Sequence, residues 1–243
     1  KNKKLKHKNL KWLIGSINRN WDNELKKSDI LVHLASDGVI NKNISYSEAK
    51  KFNIDDSMSL FRNAIKNNCK KWIVAGSVSE YGASCKKKKK LSNKTKLKPE
   101  TNYEKTKSSF SKKITSLSIK VKSKCRIMRI FHAYGDGEHK KRLFPSLVNA
   151  AKKNENFFVK NGDEIRDFID VDDVAEILLD SCNFEKKKII STQVWHVASG
   201  KPMSIRVFAK KIWKKYKSTG KLTFNKLKNK NQKNFISDKK SIW

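Results

Sequence analysis

A chain of 243 residues can bury a substantial core, and its apolar residues, 37% of the total, cluster enough to exclude a disordered chain. The formal charge of +34 taken alone points to nucleic acid or an anionic surface. The excess is nearly all Lys, spread along the chain, whereas nucleic-acid sites lean on Arg for bidentate contacts, so the charge reads as a solvated cationic surface.

In chain order, strand-length apolar runs alternate with helix-period segments. Asp29 leads into Ile30-Leu31-Val32-His33-Leu34-Ala35, continuous enough for a strand buried on both faces. Ser57 is placed to cap a helix carrying Leu60, Phe61, Ala64 and Ile65 on one stripe. Trp72 to Ala75 is the next strand. Thr101 opens a helix with Glu104 three residues on, a capping-box pattern. Arg126 to Phe131 reads as a strand, and Pro145 suits the first turn of a helix bearing Leu147, Val148 and Ala151.

Phe168-Ile169-Asp170-Val171 is strand-like, and Asp172 is placed to cap a helix with Val174, Ala175, Ile177 and Leu178. A short strand follows at Val194 to Val197. Ser204 then caps a helix with Ile205, Phe208, Ile212 and Tyr216. From Lys217 the chain is polar and yields no element. This alternation predicts a parallel sheet with helices on both faces.

No apolar run approaches the roughly 20 residues of a membrane span. No signal peptide is visible. Cys69, Cys85, Cys125 and Cys182 are widely spaced, without a zinc-binding pattern, and read as free thiols of a reducing, cytoplasmic compartment, with no metal expected.

The chemistry concentrates in two places. The Trp72–Ala75 strand runs into Gly76-Ser77-Val78-Ser79-Glu80-Tyr81-Gly82, a serine-bearing turn, and Tyr103 and Lys107 follow one helical turn apart. A free phenol has a pKa near ~10, too high for a base at neutral pH, and a nearby ammonium favours the phenolate. Ser77 is placed to donate to a substrate oxygen. The Tyr-x-x-x-Lys spacing is weak by itself in so Lys-rich a chain, and Tyr46 and Lys50 form a second one. The order of strand, serine turn, cap and helix singles out Tyr103.

These motifs resemble the extended short-chain dehydrogenase/reductase family, in its NAD-dependent nucleotide-sugar epimerase/dehydratase branch, from about Leu10 to Trp243. Asp29 to Ser36 is similar to the family's fourth strand, Asn53 to a structural Asn, Ser77 to the catalytic Ser/Thr, and Tyr103 and Lys107 to the catalytic pair. Arg129 to Glu138 resembles the strand and loop between cofactor and sugar nucleotide. Gly162 and Arg166 to Ala175 resemble a further characteristic segment.

The resemblance implies a Rossmann-like doubly wound parallel sheet in residues 1–135. A smaller C-terminal substrate lobe would fill 136–243, with 166–182 returning to the sheet. It implies Ser77, Tyr103 and Lys107 as catalytic residues. Leu34, Ala35, Ser36, Ala75 and Phe131, with Tyr103 and Lys107, would line an NAD or NADP site. Ser79, His132 and Arg166 would contact a nucleotide-sugar substrate. The family often dimerises, so a homodimer is among the implied assemblies. Lys86 to Lys90 would form a positive rim.

The sequence departs from the family at its start. The nine glycines never fall as G-x-G-x-x-G, the turn that holds a dinucleotide pyrophosphate at a helix N-terminus. Leu10 to Ile17 resembles the family's third strand, with Ser16 where an Asp usually stands. The expectation is therefore a truncated relative, lacking its first β-α units, that binds NAD weakly. Ser237 to Lys240 resembles a segment that family members continue beyond. A second expectation is a relative that has lost catalysis and binds RNA or another polyanion through its basic surface.

Overall fold

The computed structural model describes residues 6–41, 43–87, 90–185, 192–225 and 233–238. Its first half runs α1 (Asp22–Leu25), β1 (Ile30–His33), α2 (Tyr46–Lys50), α3 (Ser57–Lys66), β2 (Lys71–Ser77), α4 (Asn102–Lys120) and β3 (Lys124–Ile130). The second half runs β4 (His132–Tyr134), α5 (Leu143–Lys152), β5 (Phe157–Val159), β6 (Ile165–Arg166), β7 (Phe168–Asp170), α6 (Val171–Asp180), β8 (Gln193–Val197), β9 (Met203–Ser204), α7 (Ile205–Lys215) and β10 (Leu222–Phe224).

The unbroken apolar run of β2 needs cover on both faces, and it lies inside a four-stranded sheet of order β1-β2-β3-β8. All three pairings are parallel, with Val32 opposite Ile73, Ile73 opposite Arg126 and Ile127 opposite Val194. Successive side chains point to opposite faces. Trp72 and Val74 meet Ile54, Met58 and Phe61 of the segment ending in α3, and Phe110 and Ile114 of α4. Ile73 faces the other way, onto Met128, Ile169, Val174 and Val197. Helices on both faces and parallel strands make a doubly wound α/β fold. Full burial of each large apolar side chain here is worth roughly 1.5–3 kcal/mol.

From residues 166–182, Ile169 and Val174 pack on the second face of the sheet, while β7 pairs with β4 and β6 with β9 outside it. The short strand expected at Val194 to Val197 forms as β8 and pairs with β3 at the end of the sheet. The smaller lobe packs α5 and α7 around Leu147, Phe168, Phe208 and Trp213. A parallel pair, β5 with β10, covers it, although the polar sequence after Lys217 predicted no element. Lys233 to Asp238 crosses between the lobes, with Phe235 bonded to Ile165 and Asp167, and Leu91 to Ile236.

Three local expectations are corrected. Leu10 to Ile17 forms no strand. Ile14 in it is 77% exposed, and β1 pairs with β2 alone among the described residues. Ser57 is not a cap. Ser45 caps α2 with Glu48 in a capping box, and the chain passes through a π-helical turn at Lys51–Asp56 into α3. Ser57 instead donates to the Phe52 carbonyl and contacts the buried His33 at 3.1 Å. Asp170, not Asp172, caps α6, accepting from the Asp172 N–H. The caps at Thr101 and Ser204 form as the sequence reads.

Candidate functional site

The site is built from the carboxyl ends of β1 and β2 and the first turns of α4, where an open α/β sheet leaves a crevice. Thr101 accepts the Glu104 N–H and Glu104 accepts the Thr101 N–H, which fixes the start of α4. That start presents Tyr103 and Lys107 on one face. The Tyr103 hydroxyl faces the side chains of Ser77 and Ser36, which favour its phenolate. Ser36 is held by Asn53, whose amide also accepts the Asp37 N–H at 2.8 Å and donates to the Asp37 carbonyl and to Thr106 of α4. Asn53 thus ties the β1 loop to the helix that carries Tyr103.

Burial pushes the Tyr103 phenol above its ordinary value, and Ser77 and Ser36 pull it back only in part. Lys107 is 3% exposed and donates to the Ala75 carbonyl at 2.7 Å. Burial lowers its pKa, and the nearby Glu80 opposes that. The sequence reading gave Lys107 the task of lowering the Tyr103 pKa. In this structure burial outweighs any such effect, and the ammonium is bonded to backbone.

The other residues named for a cofactor divide. Leu34 and Ala35 stand exposed at the end of β1, beside Ser36. Phe131 instead packs inward, against Val78, Tyr81 and the ring of His196, 5.0 Å away. Its side chain belongs to the core rather than to the crevice.

A second group lies across Gly38, whose backbone backs onto the Tyr103 ring. A cavity of about 400 Å³ opens there, lined by Val39, Ile40, His132, Arg142, Arg166 and Phe208 among others. Arg166 donates to His132 Nε2 at 2.7 Å, pairs with Glu164, and lies over the Phe235 ring. Since Arg can only donate, His132 must carry its proton on Nδ1, and that buried N–H meets no partner among the described residues. Burial holds His132 well below its ordinary value, helped by Arg166 and Arg142, so it is neutral. Arg142 pairs with Glu138 at 2.5 Å. The Ser79 N–H bonds Ser77 Oγ, and its side chain makes no hydrogen bond among the described residues.

The competing pair is elsewhere. Tyr46 is 43% exposed on α2 and Lys50 pairs with Asp55 in solvent. Lys86 pairs with Glu100 at 2.5 Å beside Thr101, while Lys88 and Lys89 of the expected rim lie outside the described residues.

Sequence reasoning missed Glu80, Arg129 and Arg142. Arg142 carried no motif, but Glu80 follows Ser77 by three, a capping-box spacing visible in the sequence. The structure completes that box.

The residues present fit one end of a dinucleotide. The half-buried Tyr103, the buried Lys107 and the exposed backbone at Leu34 and Ala35 suit a ribose and a flat ring. They supply no glycine-rich turn at a helix N-terminus for a pyrophosphate.

Known proteins share this architecture. A 4-epimerase of UDP-N-acetylglucosamine from Methanobrevibacter ruminantium M1, solved with UDP-N-acetylmuramic acid, superposes with a TM-score of 0.81 at 22% identity, over 91% of this chain and 71% of that one. A dTDP-glucose 4,6-dehydratase double mutant from Streptomyces venezuelae, solved with NAD and DAU, gives 0.77 at 16% identity, over 93% and 70%. In sequence, CDP-abequose synthase of Salmonella typhimurium strain LT2 is 30% identical over 82 residues. That stretch is 33% of this chain and 27% of the synthase. The polyanion-binding alternative finds no support in these matches. The sequence profile of the NAD dependent epimerase/dehydratase family matches residues 2–190, well over half the chain, and with the shared fold this places the protein in that family.

Proposed function

We propose that this chain carries the catalytic centre of a nicotinamide-dependent epimerase, dehydratase or reductase acting on a nucleotide sugar. The carrying observation is the meeting of Tyr103, Ser77 and Ser36 at the mouth of the crevice, with Lys107 one turn below. A bound nicotinamide would accept or return a hydride at a sugar carbon. Tyr103 exchanges the proton of the hydroxyl on that carbon, and Ser77 holds the oxygen by a hydrogen bond. Lys107 contributes positive charge beneath the phenol and a donor for a ribose.

The cavity at Arg142 and Arg166 suits the nucleotide's phosphates. Family relatives act on UDP-, dTDP- and CDP-linked sugars, and these are the substrates to try first.

Among the described residues no preformed backbone cradle receives a pyrophosphate, and mobile Lys charges do not replace one, so the 243-residue chain by itself is expected to bind the cofactor at about 100 µM or weaker. Calorimetry with NAD+ and NADP+ tests this, and a micromolar Kd for either would overturn it. Turnover is then sought at millimolar cofactor. Tyr103→Phe should cost about 10²–10⁴-fold in turnover and leave cofactor affinity within about twofold. Equal turnover in wild type and Tyr103→Phe would remove Tyr103 from the reaction.

A further inference from the structure

Glu80 is fully buried and lies directly behind Ser77. Its Oε1 accepts the Ser77 N–H at 2.8 Å, and its Oε2 faces Arg129 Nε at 3.3 Å. Arg129, 5% exposed, also donates to the Tyr81 hydroxyl at 2.9 Å. That hydroxyl donates to the Ser92 carbonyl at 2.8 Å and lies 2.6 Å from His196 Nε2. The opposite nitrogen of His196 meets Ser237 Oγ at 3.1 Å. One chain of hydrogen bonds therefore runs from the backbone of Ser77 to the segment that crosses between the lobes.

Gly76 makes room for it. A Cβ there would stand 2.9 Å from Glu80 Oε1 and 3.1 Å from Arg129 Cγ. The backbone at Gly76 is ordinary strand, so glycine is needed for space and not for conformation.

Burying a charge pair is costly unless geometry and further hydrogen bonds compensate, and a packed apolar pair of similar volume often serves stability as well. A role beyond stability explains why the acceptor is aimed at Ser77. Ser77 ends β2, and its Oγ must face both the Tyr103 phenol and a substrate oxygen.

We propose that Glu80 is a positioning residue: its carboxylate, held by Arg129, clamps the Ser77 N–H and so fixes Ser77 Oγ against the Tyr103 hydroxyl. The catalytic part of this statement rests on the function proposed above. The clamp itself does not, so the two are tested separately.

Breaking the pair by one substitution leaves a buried charge and risks unfolding. Two double variants avoid this. Glu80→Gln with Arg129→Met removes both charges but keeps an amide oxygen for the Ser77 N–H. Glu80→Leu with Arg129→Met removes both charges and the acceptor. The Ser77 amide proton is followed by NMR, for chemical shift and hydrogen exchange, in the full chain.

The Gln variant should keep the downfield shift and slow exchange of Ser77, whereas the Leu variant should lose the shift and exchange at least roughly tenfold faster, the mark of a lost acceptor. Where turnover is measurable, kcat of the Leu variant should fall roughly tenfold or more below the Gln variant with KM little changed. Equal Ser77 protection in the two variants would overturn the clamp. A lost clamp with equal kcat would confine it to structure. If no nucleotide sugar is turned over by wild type, the proposed function fails while the amide measurement still decides the clamp.

Discussion

The two sides of the crevice are built differently. On the β2 side the backbone and the buried side chains are tied. Tyr81 and Leu91 are wholly buried, Ala83 N–H bonds the Lys98 carbonyl at 2.8 Å, and the Glu80 network runs beneath. On the β1 side the strand is an edge among the described residues, with Val32 42% and Leu34 53% exposed. Ser77 approaches Tyr103 from the tied side and Ser36 from the open one. Precision in this site therefore comes from the β2 side. Asn53 alone among the described residues anchors the loop at Ser36 by side-chain bonds to both its backbone and α4. The difference teaches that a sheet edge can carry half of a site only where a buried polar group pins the loop.

Gly82 gives the largest contrast in stability. Its φ is +51°, and a Cβ would lie 1.9 Å from the Lys98 carbonyl oxygen. Gly137, in the loop after β4, has φ +84° and nothing within 4 Å of the same position. Both conformations favour glycine. Gly137→Ala should cost about 1 kcal/mol for backbone strain alone, whereas Gly82→Ala should cost about 3 kcal/mol or more, since backbone must move. Urea unfolding of the two variants measures the difference. Equal costs would mean the tied side yields as easily as an open loop.

His33 sharpens the comparison, because it belongs to the edge strand but points inward. It packs between the rings of Phe61 and Phe110. Burial, with repulsion from Lys107, lowers its pKa to about 4. The folded-state value lies below the unfolded one near 6.5. Between these values the unfolded chain binds the proton and the folded chain does not. Stability from this residue is therefore complete above about pH 6.5 and declines as pH falls towards 4, by roughly 3 kcal/mol in all. In His33→Gln that part of the slope should vanish. Unfolding free energies of both proteins from pH 4 to 7 would show it, and parallel slopes would place the acid sensitivity elsewhere.

How much of this was legible in the sequence follows the same division. Where a signal is local, it was readable: the apolar run of β2, the Thr101–Glu104 capping box, and the serine turn before Tyr103. The crevice could be assembled from those three. Ser57 misled because a π-helical turn carries the helix through it, and its hydroxyl bonds backward to Phe52 instead of capping. Leu10 to Ile17 has strand composition, but a strand needs a partner, and β1 offers it none there among the described residues. The Glu80–Arg129–Tyr81–His196–Ser237 chain spans from residue 77 to 237, and no window of sequence holds it. The raised Tyr103 pKa was out of reach for the same reason, since burial is a tertiary property.

The smallest expected effect lies on the open side. Val32 borders an apolar groove of about 390 Å³ lined by Ile17, Trp21, Leu25 and Leu34. An exposed edge with apolar side chains is a template for association. Val32→Lys removes a β-branched side chain but keeps a methylene stem that can lie along the groove, with its ammonium in water. Stability should change by no more than about 1 kcal/mol, because Val32 is 42% exposed and its substitution leaves no buried group unpaired. Solution behaviour should change more, since a charge on an edge strand opposes pairing with another chain. Light scattering against concentration should show less self-association in Val32→Lys than in wild type at equal unfolding midpoints. A drop in midpoint comparable to that of Gly82→Ala would mean that β1 is clamped as firmly as β2, and the contrast between the two sides would not stand.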